Sequence, residues 1–141
     1  MSVLCPRGSF LLTNTGAGAN GSGFHFLPGG ALRADEDTAA CAAREWQEET
    51  GLQPGPLRLV GVIESCFGAR GRRQHEVGFS SHMAAPDALP DEPFTVLDNA
   101  AVTGQWVPFT QLEATPVYPL VLTALLSVPP GVVRHTLNRE A

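Results

Sequence analysis

Residues 30–52 read GALRADEDTAACAAREWQEETGL and carry an unusual concentration of acid. A helix is expected over about 38–50, because acidic cap candidates precede this span and a glycine follows it. Its last turns contain Glu45, Glu48 and Glu49. A helix C-terminus carries partial negative charge, and like charges three or four residues apart repel each other. The sequence therefore accepts two electrostatic penalties in one place, and both need a physical reason.

The three glutamates share one side of the predicted helix. At about 100° per residue, Glu45 and Glu49 lie about 40° apart, and Glu48 lies about 60° to the other side of Glu45. Three carboxylates within an arc of roughly 100° offer the oxygen ligands that Mg²⁺ or Mn²⁺ prefers. A bound divalent ion would offset both penalties. For three glutamates alone, a solvated acidic face is the commoner arrangement.

Fixed spacings through the stretch argue against that alternative. The pattern is Gly, five residues, Glu, seven residues, Arg-Glu, an apolar residue, any residue, Glu-Glu, any residue, Gly and an apolar residue. It is filled by Gly30, Glu36, Arg44, Glu45, Trp46, Glu48, Glu49, Gly51 and Leu52. This pattern resembles the Nudix box, the signature of the Nudix (MutT-like) hydrolases. At average residue usage, its seven fixed residues match by chance with odds on the order of 10⁻⁸ per register.

Weaker similarities flank the box. FHFLPGG before it and Trp-Val-Pro-Phe at 106–109 resemble the family, and the segment 62–79 resembles a subset of small members. The resemblance implies an α/β fold, the Nudix α/β/α sandwich, with a mixed sheet between two main helices. We expect one domain over 1–141 with the box at 30–52.

The resemblance also implies an activity. It predicts a divalent-metal-dependent pyrophosphohydrolase that uses Mg²⁺, or Mn²⁺, and cleaves the diphosphate bond of a nucleoside diphosphate linked to another moiety X. Nucleoside triphosphates, dinucleoside polyphosphates, nucleotide sugars and ADP-ribose all remain open as substrates. Two alternatives use the same fold: a catalytically silent domain that binds nucleotides as a sensor or interaction module, and isoprenoid diphosphate isomerisation, which would need a catalytic cysteine such as Cys66.

The roles of individual residues follow from the family pattern. Glu48 and Glu49 would be metal ligands, and Glu45 a ligand or the base that acts on water. Arg44 would pair with a carboxylate and orient it. The full set of predicted metal residues is Gly29 (through its carbonyl), Glu36, Glu45, Glu48 and Glu49, and the predicted catalytic set is Arg44, Glu45, Glu48 and Glu49.

Outside the box the candidates are less specific. A further acid is expected at the site, and the candidates are Glu64, Glu76, Glu92 and Asp98. The dense basic loop could bind substrate phosphates or be simply solvated. The proposed substrate contacts are Arg70, Arg72, Arg73, His75 and Glu76, and the aromatic side chains that could stack on a base, or pack in the core, are Phe24, Phe67 and Trp106.

Three positions depart from the residues that are common in the family. Trp46 replaces a smaller Ile, Leu or Val, Arg33 stands where Glu is common, and Asp35 stands where Gly is common. The segment after Leu12 reads Thr-Asn-Thr, where many members place an arginine that could meet phosphate. The identity of the phosphate contacts is therefore open.

The remaining elements are short. Two strands are predicted around the turn at residues 6–8, a loop at 16–23, further strands at 24–27, 57–65, 75–85 and about 103–107, a helical turn in TQLEATP, and a second helix at 117–128. The first helix has cap candidates in Asp35, Glu36 and Asp37 and a stop at Gly51. Residues 129–141 receive no assignment.

Bulk composition limits the partners. The chain has 141 residues, a net charge of -5 and nine basic residues, all of them arginine. This balance argues against a nucleic-acid polymer and requires a cation between an anionic substrate and the acids. The sequence shows neither a membrane-spanning run nor a signal peptide, so we expect a cytoplasmic protein with no membrane partner and with reduced cysteines. The family resemblance also allows a homodimer.

Overall fold

Two mixed β-sheets form the centre of the molecule. The computed structural model describes residues 1–16, 24–119 and 122–139. The strands are β1 (Ser2–Leu4), β2 (Pro6–Arg7), β3 (Phe10–Gly16), β4 (Phe24–Phe26), β5 (Leu57–Ala69), β6 (Arg72–Met83), β7 (Phe94–Thr95), β8 (Val102–Pro108), β9 (Val117–Tyr118) and β10 (Arg134–Arg139). The helices are α1 (Thr38–Thr50) and α2 (Leu122–Leu126), with a 3₁₀ turn at Phe109–Gln111.

Each sheet combines parallel and antiparallel pairs. The first sheet has the order β1-β6-β5-β10, in which β5 and β6 form an antiparallel hairpin and the outer strands run parallel to their neighbours. The second has the order β7-β8-β3-β4-β9, with β2 paired to β3. Its strands β3 and β8 are antiparallel, and β4 and β9 are parallel.

Two apolar layers cover opposite faces of these sheets. Successive side chains of a strand point to opposite faces, so Leu11 of β3 enters one layer and Leu12 enters the other. The first layer contains Leu125 of α2, and the second contains Ala42 and Trp46 of α1. A helix on each face of the sheets confirms the predicted α/β/α arrangement.

Helix α1 forms where the sequence predicts it. Of the three cap candidates, Asp37 takes the role, because its Oδ1 accepts a hydrogen bond of 2.7 Å from the Ala40 amide. Gly51 ends the helix in the left-handed conformation with φ 72°. The helix turns Trp46 into the core and leaves most of the box acids at the other side.

The hairpin of the first sheet is longer than predicted. The segment between 65 and 75, expected to be a connection, is mostly strand, because β5 continues to Ala69 and β6 starts at Arg72. The turn has positive φ at both central residues, 51° at Arg70 and 74° at Gly71. Turns of this kind match the twist of the strands and let pairing continue to the tip.

The predicted second helix at 117–128 is wrong in its extent. Val117 and Tyr118 form β9 instead, and α2 is limited to Leu122–Leu126. A residue before proline avoids the helical region, and the free edge of β4 offers it hydrogen bonds. The Leu27 amide donates to the Tyr118 carbonyl at 3.1 Å.

The remaining predictions have mixed outcomes. The strands on either side of residues 6–8, β4 and β8 are confirmed, but Pro6–Arg7, predicted to lie in the turn, form the short strand β2. Residues 134–139, which received no assignment, form the edge strand β10. The predicted loop at 16–23 lies outside the described residues except for its first residue. Among the described residues, no helix is long and apolar enough to cross a membrane.

Candidate active site

Arg44 connects three of the four box acids. Its Nε and Nη2 donate to the two oxygens of Glu36 at 2.6 and 3.0 Å. Its Nη1 donates to Glu45 at 2.7 Å and to Glu48 at 3.2 Å, and Nη2 also donates to the Ala31 carbonyl at 3.1 Å. The hydrogen bonds from Arg44 lower the pKa of Glu36 to about 2, with a smaller contribution from the Arg33 amide. The guanidinium therefore fixes the carboxylates on the open side of α1.

A loop outside the box adds a carboxylate to two of the box glutamates. Glu45, Glu48 and Asp98 each place one oxygen so that the three atoms lie within 4.8 Å of one another. Asp98 belongs to the turn between β7 and β8, and this turn is attached to the end of α1 because the Leu97 amide donates to the Glu49 carbonyl at 2.9 Å. Of the four acids considered outside the box, Asp98 is therefore the one that joins the box glutamates.

The last box acid is buried. Only 7% of Glu49 is exposed, and its Oε1 accepts a long hydrogen bond of 3.5 Å from Asn14. Its Oε2 has no hydrogen-bond partner among the described residues. Burial raises the pKa of Glu49 to about 8, the charges of Asp98 and Glu45 act in the same direction, and the Gly29 amide opposes the shift. A buried carboxylate oxygen that has no hydrogen-bond partner among the described residues, and on which the charges of Glu45 and Asp98 act, fits a divalent cation.

The turn at the start of the box requires two glycines. Gly29 has φ 144°, and a Cβ there would overlap the Met1 carbonyl. A Cβ on Gly30 would overlap the carboxylate of Glu45. The absence of a side chain lets Gly29 lie against the backbone of Met1 and lets Gly30 lie against Glu45, as expected for a glycine at the first fixed position of the pattern.

Comparison with known families agrees with this geometry. A family model described as NUDIX domain matches residues 2–124. The chain belongs to the NUDIX family. Membership confirms the family that the box at 30–52 predicts, and it confirms the enzyme class, a Nudix hydrolase acting on phosphoric anhydride bonds.

Solved structures of other Nudix proteins share the fold. A MutT NUDIX hydrolase from Burkholderia pseudomallei is 22% identical, with a TM-score of 0.68 over 91% of this chain and 95% of that one. The mutator MutT protein from Bacillus halodurans is 14% identical, with a TM-score of 0.68 over 96% and 85%. The NUDIX domain of NrtR from Shewanella oneidensis, solved in complex with ADP ribose, is 16% identical, with a TM-score of 0.60 over 89% and 80%.

A cavity of about 770 Å³ adjoins the Nudix box. Gly29 and Gly30 line it, so the turn that touches Glu45 also forms one wall. Its aromatic lining consists of Phe67, Phe79 and Tyr118. Glu76 is the one charged side chain among the described residues that line it. The cavity is thus large enough for a nucleotide and mostly uncharged.

The other predicted contacts of this Nudix domain are scattered. Arg70, Arg72 and Arg73 are exposed at the tip of the β5–β6 hairpin. His75 lies 2.9 Å from Glu64, which also contacts His135 of β10 at 2.5 Å. Glu76 reaches the cavity, whereas the structure does not bring the hairpin arginines or His75 into its lining.

Of the three aromatic candidates, only Phe67 lines the cavity. Trp106 packs beneath the Arg7 guanidinium at 4.6 Å and donates from Nε1 to the Pro90 carbonyl at 2.9 Å. Phe24 is 46% exposed and lies beside Phe26. Sequence reasoning missed Tyr118 and Asn14, since neither belongs to a local pattern and both are placed by strand pairing.

Proposed function

We propose that this Nudix hydrolase is a divalent-metal-dependent pyrophosphohydrolase that cleaves the diphosphate bond of nucleoside diphosphates linked to a moiety X. The observation that carries the proposal is the convergence of Glu45, Glu48 and Asp98, one oxygen of each lying within 4.8 Å of the others. The charges of Glu45 and Asp98 also act on buried Glu49, one oxygen of which has no hydrogen-bond partner among the described residues. Mg²⁺ is the expected ion and Mn²⁺ the substitute, because all of these ligand atoms are carboxylate oxygens.

The ion would be held by Glu48, Glu49 and Asp98, with the Gly29 carbonyl as a further ligand. When bound, it would supply neutralisation of the diphosphate charge and activation of water. Arg44 would hold Glu45 and Glu48 in position. Glu36 would support the site rather than bind the ion, because both of its oxygens already accept hydrogen bonds from Arg44.

Glu45 has one of two roles in this proposal, a fourth ligand or the acceptor of the water proton. A Glu45→Gln variant separates them. If Glu45 is a ligand, the Mg²⁺ concentration needed for half-maximal activity rises. If it accepts the proton, kcat falls by about 10²- to 10⁴-fold while the Mg²⁺ requirement is unchanged.

The substrate is proposed to be a nucleotide-like small molecule whose nucleoside occupies the cavity of about 770 Å³. All four substrate classes for X, from nucleoside triphosphates to ADP-ribose, remain candidates. The ADP-ribose complex of the structurally similar NrtR domain supports a nucleotide in this fold.

The hairpin arginines and His75 are separate proposed contacts. Reversing the charge of Arg72 and Arg73 should raise KM sharply, and an unchanged KM would exclude them.

The deciding experiment is a phosphate-release screen. Purified protein with Mg²⁺ or Mn²⁺ is tested against the four substrate classes beside its Glu49→Gln variant. Turnover of one class by the native protein, lost in the variant, identifies X. No turnover of any class, with nucleotide binding still detected by thermal shift, would favour the silent binding module instead.

We further propose a single domain over residues 1–141 that acts in the cytoplasm, without a nucleic-acid polymer or a membrane as partner, and that can form a homodimer. The net charge of -5 supports the exclusion of nucleic acid, because a polyanion is repelled by an acidic surface. Size-exclusion chromatography with light scattering would determine the oligomeric state.

A further inference from the structure

The hydrogen-bond donors of Arg44 are already used within the protein and are not available to a substrate. Each nitrogen of the Arg44 guanidinium already donates to an acid of the box, and Nη2 also donates to the Ala31 carbonyl. If Arg44 bound a substrate phosphate instead, its hydrogen bonds to Glu36, Glu45 and Glu48 would all be broken. A cationic side chain that contacts the phosphates of a substrate, in addition to the divalent ion, must therefore be a residue other than Arg44.

The side chains of the cavity do not provide that group, and the one cation in its described lining, the α-ammonium of Met1, donates to the Gly30 carbonyl at 2.9 Å. Its described lining includes one charged side chain, the carboxylate of Glu76. A carboxylate repels phosphate but accepts hydrogen bonds from the hydroxyl, amino or ring N–H groups of a nucleoside. The uncharged part of a nucleotide therefore fits the cavity, and its phosphates must lie beyond the cavity wall, toward the acids of α1.

The wall leads directly to Arg33. Four consecutive residues, 29–32, line the cavity, and Arg33 is the next residue along the chain. Its side chain is 65% exposed and makes one long contact, 3.5 Å from Nη2 to Glu48 Oε1. Arg33 thus follows the cavity wall directly in the chain and contacts Glu48 of the carboxylate cluster, while most of its side chain is exposed.

The backbone of Arg33 is fixed although its side chain is exposed. Its amide donates to Glu36 Oε2 at 2.9 Å, and its carbonyl accepts from the Glu36 amide at 3.2 Å. A cation bound at Glu48 would compete with the long Arg33 contact and free the guanidinium. Arg33 would then combine an anchored backbone with a free, planar guanidinium, which is well suited to bidentate hydrogen bonding to phosphate.

We propose that Arg33 is the residue that binds the phosphate group of the substrate and thereby restricts the site to phosphorylated ligands. This inference rests on the function proposed above for the same site. It assigns to Arg33 the role for which the arginines of the hairpin tip are the competing candidates. It also gives a function to a position where the residue common in the family would have the opposite charge.

The test is binding of methylenediphosphonate, a diphosphate that the enzyme cannot hydrolyse, measured by calorimetry in excess Mg²⁺. Arg33→Gln should weaken binding of the diphosphonate about tenfold or more. Arg33→Lys should bind with intermediate affinity, because lysine keeps the positive charge but cannot make the bidentate hydrogen bonds of a guanidinium. Arg134→Gln is the matched control: it removes one exposed arginine from β10 and should bind like the native protein.

Turnover gives the second measurement. For the substrate identified by the screen, Arg33→Gln should raise KM about tenfold and change kcat little. If Arg33 only orients Glu48, the variant will instead change kcat and the Mg²⁺ requirement and leave diphosphonate binding intact, which overturns the proposal. Loss of diphosphonate binding in Arg33→Gln without turnover of any substrate by the native protein would reject the proposed function and retain the phosphate site.

Discussion

Gly30 shows at the scale of one residue how the box depends on a missing side chain. A Cβ at this position would overlap the Glu45 carboxylate, which is the far end of a flexible side chain. Such an end can move aside at little cost in stability. The displaced Glu45 carboxylate, however, would no longer lie at the distance from the other carboxylates that the site requires. The glycine is therefore required by the placement of Glu45 and not by the stability of the turn.

Gly30→Ala should accordingly reduce kcat by about 10- to 100-fold, because displacement by about 1 Å has effects of this size in active sites. The melting temperature should change little. Gly55→Ala is the control, since a Cβ there meets its nearest atoms at an ordinary 3.6 Å. A variant that is fully active but unstable would show that Gly30 serves the fold.

Glu49 makes the stability of the metal-free protein depend on pH. The pKa of this carboxyl is raised from 4.5 to about 8 by burial. A raised carboxyl pKa means that the folded protein holds a proton that the unfolded chain has released. Its stabilisation is complete below the ordinary value and is lost as the pH rises through the folded value.

In EDTA, the free energy of unfolding should therefore fall between pH 5 and pH 8 by at most about 1.4 kcal/mol per pH unit. Urea unfolding at a series of pH values measures this slope. Glu49→Gln should remove most of it, and Mg²⁺ should restore stability to the native protein at pH 8. A slope that persists unchanged in Glu49→Gln would assign it to another group.

Helix α1 combines two requirements at the scale of one element. One face packs Trp46, fully buried, among the apolar residues of the second layer, and the other face carries the box acids. Packing of the first face sets the rotation of the helix and so places the Glu45 carboxylate against the turn at Gly30. The bulky Trp46, unusual for the family, is accommodated in the core, although its Nε1 has no partner among the described residues.

Trp46→Ala should cost about 3–5 kcal/mol, the usual range for removing a buried aromatic side chain. Trp46→Phe should cost much less, because it keeps a ring in the core and removes the unpartnered N–H. Urea unfolding of the two variants measures the difference. Equal losses in both would mean that the indole N–H has a partner, such as a buried water.

The two faces of α1 and its ends were predictable, because caps, stop and periodicity are local features. The β5–β6 hairpin and strand β9 were less predictable from the sequence. Positive φ at Arg70 is uncommon for a residue with a side chain, so no local pattern indicates the tight hairpin turn there. Residues 117–118 have an apolar composition that also suits a helix, and only pairing with β4 makes them a strand.

At the scale of the whole molecule, β10 extends the first sheet beyond the residues matched by the family model. It pairs in parallel with β5 and brings Asn138 to the cavity. Glu64 of β5 connects three strands, because it contacts His75 of β6 and His135 of β10. These two hydrogen bonds hold the pKa of Glu64 below its ordinary value, and the bond with His135 has the larger effect.

Glu64→Gln should loosen this edge of the sheet. Hydrogen exchange at the amides of β10 should become several-fold faster while exchange in α1 is unchanged, since loss of an edge strand is a local opening. In the native protein the same loosening should appear as the pH falls through the lowered pKa of Glu64, when the carboxylate becomes protonated. Glu113→Gln, at an exposed turn, is the control, and equal exchange in both variants would exclude the contribution of Glu64.

The sequence by itself determined α1, the spacing of the box and, through them, the family. These depend on residues within one or two helical turns of each other, where geometry follows from periodicity. Tertiary structure alone decided that Asp98 joins Glu45 and Glu48, that Glu49 is buried while the side chain of Arg33 is exposed, and that 134–139 closes the sheet edge. Each of these depends on contacts between segments far apart in the chain, and only packing of the two sheets and their helices brings those segments together.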